Sequence, residues 1–146
     1  MKLRATEIKK PNLPLPEKYA LSGTEDAAQI ALFMWAATVR DKYPELKWMF
    51  AIPNGGSRHK AEAGKLRAMG VRAGVPDLCL PVRRGRFGGL YIEMKRPKTN
   101  GKRAGFVKPE QSLWLEFLKS QGYGAISCRG WEHARDTIIE YLEWKE

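Results

Sequence analysis

Residues 74–82 read GVPDLCLPV and residues 90–95 read LYIEMK, and these two apolar runs decide the fold. Each run is short and is bounded by Gly or Pro, and residues 83–89 between them are rich in Arg and Gly. This pattern predicts two antiparallel strands joined as a hairpin. If the hairpin is symmetric about Gly85, Asp77 and Glu93 lie directly across from each other, with Cβ atoms about 4.5–5.5 Å apart.

A pair of carboxylates at that separation indicates a cation site. The two groups repel each other unless one takes a proton or a cation lies between them. Mg²⁺ and Mn²⁺ suit such a site, because they need only one or two protein carboxylates and otherwise keep water or substrate phosphate. Strand residues alternate between faces, so Lys95 points to the same face as Glu93, and Met94 to the other. Together Asp77, Glu93 and Lys95 suit phosphodiester hydrolysis.

The same residues have a purely structural interpretation. A Glu-x-Lys pair on a strand is common, and most such pairs are solvated charges that contribute little to stability. The surrounding charges favour chemistry, since residues 83–103 contain eight Lys or Arg and one acid, Glu93. A lone carboxylate in this setting is either neutralised by its neighbours or reserved for a cation.

Hydrophobic periodicity places helices and further strands around the hairpin. It predicts helices over residues 23–41, 57–70, 109–122 and 131–142, and strands over residues 47–52 and 123–127. The order α-β-α-β-β-α-β-α predicts an α/β fold, in which a mixed central sheet is flanked by helices. We place this single domain at residues 21–146, after an extended basic arm over residues 1–20 that contains three prolines.

The charge balance indicates a nucleic-acid partner. The 146 residues include 26 Lys and Arg against 16 Asp and Glu, a net charge of +10. No apolar run reaches the ~18–20 residues of a membrane span, and the N-terminus lacks the apolar region of a secretory signal, so we expect neither a membrane span nor secretion. Cys79 and Cys128 have no neighbours at metal-ligand spacing, so we expect buried free thiols in a cytoplasmic protein.

Two further polar residues have both a structural and a functional interpretation. Ser22 and Glu25 have the Ser-x-x-Glu spacing of a helix capping box, which is a sufficient structural reason for Glu25. Gln111 falls in the first turn of the third predicted helix, where a solvated side chain is ordinary. The residues alone leave both interpretations open.

An ordered set of short motifs resembles the virus-type replication-repair nuclease (VRR-NUC) domain, a branch of the PD-(D/E)xK nuclease superfamily. The set is EDxxQ at 25–29, PNGG at 53–56, GVRxGVPD at 70–77, EMK at 93–95 and QxxW at 111–114. Each motif alone is weak, but the ordered set is specific and spans about residues 22–139. The resemblance implies a restriction-endonuclease-like core with a mixed central sheet. Short stand-alone members of this kind are phage proteins similar to Holliday-junction resolvases that work as dimers.

The resemblance also implies roles for individual residues. It makes Asp77 and Glu93 metal ligands, the carbonyl of Met94 a possible third ligand, and Lys95 the catalytic lysine. Glu25 would complete the acidic cluster, directly or through water. Gln111 resembles the glutamine of the family's fourth motif, near the active site.

Two basic segments on either side of this site predict a DNA-binding surface that holds phosphates without reading bases. Its members are Arg58, Lys60, Lys65, Arg67, Arg72, Arg96, Lys98, Lys102 and Arg103. The predicted function is a structure-selective DNA endonuclease that uses Mg²⁺ or Mn²⁺. We expect it to act on four-way junctions, most simply as a two-fold homodimer. The alternatives are a flap, single-strand or RNA nuclease of the same fold, and a basic nucleic-acid binding module without catalysis.

Overall fold

The computed structural model of the chain describes residues 16–53, 59–99 and 101–145. These ranges contain five α-helices, one 3₁₀ helix and four strands. The α-helices are α1 (Pro16–Ala20), α2 (Glu25–Thr38), α3 (Lys60–Ala68), α4 (Pro109–Ser120) and α5 (Trp131–Leu142). The strands are β1 (Phe50–Ala51), β2 (Leu78–Leu80), β3 (Leu90–Lys95) and β4 (Gly124–Arg129), and the 3₁₀ helix is Pro44–Trp48.

The four strands form one mixed sheet in the order β1-β2-β3-β4. The β1–β2 and β2–β3 pairs are antiparallel, and the β3–β4 pair is parallel. In the hairpin Leu78 pairs with Ile92 and Leu80 pairs with Leu90, so the strands are symmetric about Gly85. The predicted register is therefore confirmed, as is the mixed α/β architecture.

The two faces of β3 contact different helices. Leu90, Ile92 and Met94 belong to the main core, which they share with α2 and α5. Tyr91 faces a smaller core built on Leu115 and other residues of α4 and β4. Alternation along the strand puts Glu93 and Lys95 on the same face as Tyr91, so the polar end of β3 lies on the side of α4.

The end of β3 is also tied to the elements that follow α4. The backbone N–H of Gly130 donates to the carbonyl of Lys95 at 2.9 Å, one residue before α5 begins. Gly130 has a φ of +81°, a conformation that glycine adopts without a steric penalty. The last residue of β3 is thus fixed by the start of α5 as well as by its pairing with β4.

Our prediction of a strand over residues 47–52 was wrong for its first half. Pro44–Trp48 forms a 3₁₀ helix that buries Leu46, and the strand begins only at Phe50. The reason is Pro44, whose fixed φ and missing N–H suit the first turn of a helix.

The expected extended arm over residues 1–20 was wrong for its last five residues, and residues 1–15 lie outside the described ranges. Pro16–Ala20 is helical and contacts α2, with Pro16 at the tolerated first position. The predicted Ser22 cap was wrong as well. Thr24 caps α2, because its Oγ1 accepts a hydrogen bond from the N–H of Ala27 at 3.1 Å.

Cys79 and Cys128 are free and buried, as predicted. Within the described ranges, no helix is both long enough and apolar enough to cross a membrane.

Candidate active site

Strand β3 ends with two buried charged side chains. Glu93 is 2% exposed and Lys95 is 4% exposed, and the Lys95 Nζ lies 3.1 Å from the Glu93 Oε1. The Glu25 Oε1, at the start of α2, lies 4.0 Å from the same Nζ. Since burying an ion pair costs desolvation and contributes little net stability, this cluster favours a chemical role.

Asp77 is fixed beside this pair through its backbone and its side chain. Its carbonyl accepts a hydrogen bond from the N–H of Ile52 at 2.7 Å, and its Oδ2 accepts one from the N–H of Met94 at 2.6 Å. The Met94 side chain is buried in the main core, so the only part of Met94 on the side of Asp77 is backbone. The hairpin therefore brings Asp77 against the segment that carries Glu93 and Lys95.

Gln111 reaches the site from the first turn of α4. Its Oε1 accepts a hydrogen bond from the N–H of Lys108 at 2.9 Å, and its Nε2 donates to the Glu93 Oε1 at 2.7 Å. The opposite orientation of the amide would set two donors against each other at Lys108. Gln111 thus caps α4 and binds Glu93 with the same side chain.

The second carboxylate oxygen of Glu93 indicates a ligand. Oε1 contacts Gln111 and Lys95, whereas Oε2 is buried and has no hydrogen-bond partner among the described residues. A buried polar atom of this kind normally has a water or an ion as its partner. Carboxylate oxygens from Asp77 and Glu93 and a backbone carbonyl from Met94 are the hard ligands that Mg²⁺ or Mn²⁺ prefers.

Glu25 does not join the two carboxylates as a third direct ligand in this arrangement. In the described part of the chain, no three His, Cys, Asp or Glu side chains lie close enough together to hold an ion by themselves. The carboxylate of Glu25 lies beside Lys95 instead, and it is about half exposed. The residues present fit a cation held by two carboxylates, with water or substrate phosphate completing the shell.

Burial dominates the electrostatics of the site. It raises the pKa of Glu93 to about 7, and the charge of Asp77 is the next largest cause. Burial also raises the pKa of Asp77, although the hydrogen bond from Met94 opposes the shift. Both shifts mean that the metal-free site favours a bound proton, which a divalent cation would replace.

The comparisons with known proteins show the family of the chain. A family model for the VRR-NUC domain matches residues 25–132, well over half of the chain. The chain belongs to the VRR-NUC family. A solved structure described as a VRR_NUC domain protein is 31% identical, with a TM-score of 0.66 over 82% of this chain and 88% of that chain. A search of curated proteins found no significant match.

The VRR-NUC domain makes this protein a nuclease of the virus-type replication-repair family. Its candidate site opens into a cleft of about 710 Å³ whose lining includes Asp77, Glu93 and Gln111. Helix α3 contributes Lys60 and Arg67 to the same lining. No residue of α3 is buried, so this helix contributes little to the core.

The other predicted DNA-binding residues occupy different settings. Lys65 and Lys98 are exposed, and Arg58 lies outside the described residues. Exposed Arg72 donates from Nη1 to the carbonyls of Arg67 and Val71. The guanidinium of Arg96 donates from Nε and Nη2 to the carbonyl of Arg103, which fixes the chain that follows β3.

Sequence reasoning missed two residues that position the VRR-NUC site. Lys108 lines the cleft, and its backbone N–H orients Gln111. Gly74 has a φ of +86°, and a Cβ there would lie 2.7 Å from the carbonyl oxygen of Glu110, so a glycine is needed where α4 begins. The motif contained Gly74, but only the folded chain shows that it contacts α4. The Asn54-Gly55-Gly56 part of the motif lies outside the described residues.

We predict that Glu93→Gln changes how the stability of the metal-free VRR-NUC domain depends on pH. Because the pKa of Glu93 rises from 4.5 to about 7 on folding, ionisation of Glu93 lowers the stability of wild type as the pH rises from about 4.5 to about 7. Below about pH 4.5 the group is protonated in both the folded and the unfolded state, so this loss of stability is absent. The free energy of unfolding of the variant should therefore improve relative to wild type by about 3 kcal/mol between pH 4 and 8.

Urea denaturation in the presence of a chelator, at pH values across that range, measures this difference. Glu110→Gln is the matched control, since it removes an exposed carboxylate from the same cleft. A difference between Glu93→Gln and wild type that stays constant with pH would contradict the raised pKa.

Proposed function

We propose that this nuclease is a metal-dependent, structure-selective DNA endonuclease, acting on branched DNA as a homodimer that resembles Holliday-junction resolvases. The observation that carries the metal dependence is the buried Glu93 Oε2, which has no partner among the described residues while Asp77 lies beside it. A hard cation is the ligand that this pair of carboxylates suits best.

Asp77 and Glu93, with the backbone carbonyl of Met94, would hold the Mg²⁺ or Mn²⁺ ion. When bound, such an ion polarises the phosphoryl oxygen and lowers the pKa of water. Lys95 is placed to orient the attacking water and to stabilise the charge that develops on the phosphate. The water oxygen would bond to phosphorus and give up a proton to solvent as the bond to the leaving oxygen breaks, and the leaving oxygen would take up a proton from solvent.

Two neighbouring side chains contact these residues. Gln111 donates a hydrogen bond to Oε1 of Glu93, and Oε2 has no hydrogen-bond partner among the described residues. Glu25 lies beside the ammonium of Lys95 and offers it a second anionic partner. Because Thr24 caps α2, the carboxylate of Glu25 is not needed as a cap and is available for this contact.

The charge distribution supports a nucleic-acid backbone as the bound surface. Lys60 and Arg67 line the cleft, and the net charge of the chain is +10. We expect these side chains to contact phosphates and not base edges. The protein should therefore recognise the shape of DNA, and its affinity for DNA should fall steeply as the salt concentration rises. The buried free thiols of Cys79 and Cys128 are consistent with action in the cytoplasm. For a phage protein this would be the cytoplasm of the host.

A non-catalytic binding module is less compatible with the buried cluster. In that case the carboxylates would balance nearby arginines, whereas Glu93 contacts Gln111 and Lys95. A flap, single-strand or RNA nuclease would use the same metal site, so the substrate distinguishes it from a resolvase.

The test is a panel of four-way junction, flap, duplex, single-strand and RNA substrates, each with Mg²⁺, Mn²⁺ or a chelator. We expect cleavage only with a divalent metal, and cleavage of the junction at least about tenfold faster than that of duplex. Light scattering on the same preparation should give the mass of a dimer. Cleavage in chelator would overturn the metal-dependent mechanism, and preference for RNA or flaps would overturn the junction assignment.

A further inference from the structure

Phe106 is a large aromatic side chain exposed to solvent beside the active site. It is 72% exposed, in the segment that joins β3 to α4. Aromatic side chains contribute most to binding when a partner covers them, so an exposed ring next to a catalytic strand calls for an explanation.

The backbone on both sides of Phe106 is anchored. The N–H of Gly105 donates to the carbonyl of Arg96 at 2.9 Å, and a Cβ on Gly105 would lie 3.0 Å from the Arg96 nitrogen and 3.5 Å from the Lys95 Cβ. On the other side, Val107 packs into the smaller core with Leu115. The ring is therefore exposed on a backbone that is anchored beside the end of β3, at Arg96.

The chain around Phe106 is rich in basic residues. Thr99 and Lys102 exchange backbone hydrogen bonds at 3.2 and 3.1 Å, and the Arg96 side chain donates to the carbonyl of Arg103. Exposed basic side chains precede and follow Phe106 in the chain: Lys98, Lys102, Arg103 and Lys108. A ring among cations is the arrangement with which proteins bind unpaired nucleotides, because cations hold the phosphates and the ring stacks on a base.

We propose that Phe106 stacks on an unpaired or flipped nucleobase next to the scissile phosphate, and so selects DNA with an unstacked base at the cleavage point. This inference rests on the proposed DNA nuclease function, and it adds a residue that determines specificity. Phe106 directly follows Gly105, where a Cβ would lie 3.5 Å from the Lys95 Cβ, and the proposal therefore puts the stacked base close to the reacting phosphate.

The test measures binding in a chelator, with the full chain, so that no cleavage is needed. The probes are a duplex with one unpaired 2-aminopurine and a matched fully paired duplex, and the variants are Phe106→Ala, Phe106→Leu and Phe106→Tyr. Wild type should quench the fluorescence of the unpaired base. Phe106→Ala should weaken binding of that probe by about tenfold and binding of the paired duplex by less than about twofold.

The variants separate stacking from other roles of the ring. Phe106→Tyr should bind like wild type and Phe106→Leu like Phe106→Ala, because only a planar ring stacks. Leu113→Ala is the matched control, since Leu113 is also 72% exposed but lies on α4. Full binding by Phe106→Leu, equal losses on both probes, or a change of mass in light scattering with Phe106→Ala would overturn the proposal. Failure of the metal-dependent cleavage test would overturn the nuclease mechanism and leave this binding result standing.

Discussion

Asp77→Asn should lower the rate of DNA cleavage by about 10³- to 10⁴-fold at saturating metal and DNA. The change removes one of the two anionic ligands proposed for the cation. A bound cation stabilises the transition state of hydrolysis by several kcal/mol, so weaker binding of the cation should lower the rate. The asparagine oxygen can still accept the hydrogen bond that Met94 gives to Asp77, so the fold should be retained. Single-turnover cleavage of a labelled junction measures the rate, and calorimetric titration with Mn²⁺ should show weaker binding of the metal.

Glu110→Gln is the control for this variant. It removes one negative charge from the same cleft at an exposed position in the first turn of α4. We expect it to cleave at a rate within about threefold of wild type, as surface charges contribute little. Equal rates for Asp77→Asn and Glu110→Gln would mean that Asp77 is not a metal ligand.

Lys95→Met should lower the cleavage rate by about 10²- to 10³-fold while metal binding stays intact. Methionine keeps most of the apolar stem that is buried at 4% exposure, but it removes the ammonium that stabilises the developing charge. The Lys95 Nζ lies 3.1 Å from the Glu93 Oε1, so removing its positive charge should not weaken the binding of a cation by the carboxylates. The variant should therefore lose cleavage rate without weaker Mn²⁺ binding, which distinguishes it from Asp77→Asn.

Lys119→Met serves as the control, since it makes the same change of charge at an exposed position that pairs with Glu116. Circular dichroism should show both lysine variants folded. If Lys95→Met cuts junctions as fast as Lys119→Met does, the lysine takes no part in the chemistry.

The central hairpin could be predicted from sequence because strand alternation and register are local properties. Symmetry about Gly85 placed Asp77 opposite Glu93, and the period of two put Lys95 on the face of Glu93 and Met94 on the other. The order of the other elements followed from hydrophobic periodicity and from Pro and Gly at their ends, whereas α1 and the 3₁₀ helix were not predicted. The family followed from motifs whose residues lie far apart in the chain, and the comparisons bear it out.

The remaining parts of the site depend on tertiary contacts that no local pattern contains. Gln111 could be explained as a solvated residue in the first turn of a helix, and the folded chain shows that its amide caps α4 and binds Glu93. Glu25 was explained equally well by a capping box, until Thr24 proved to be the cap. The strand predicted from residue 47 was wrong for its first half because Pro44 starts a 3₁₀ helix that continues to Trp48.

The bond from Gly130 to the carbonyl of Lys95 has a consequence for biosynthesis. Residues 124–142 leave the ribosome after the proposed metal ligands. Strand β4 pairs with β3, and α5 packs into the core that contains β3. A nascent chain that has emerged only as far as α4 lacks β4, the strand that pairs with the end of β3 where Glu93 and Lys95 lie. The nuclease activity should therefore arise only once translation has passed α5, so incomplete chains should be inactive.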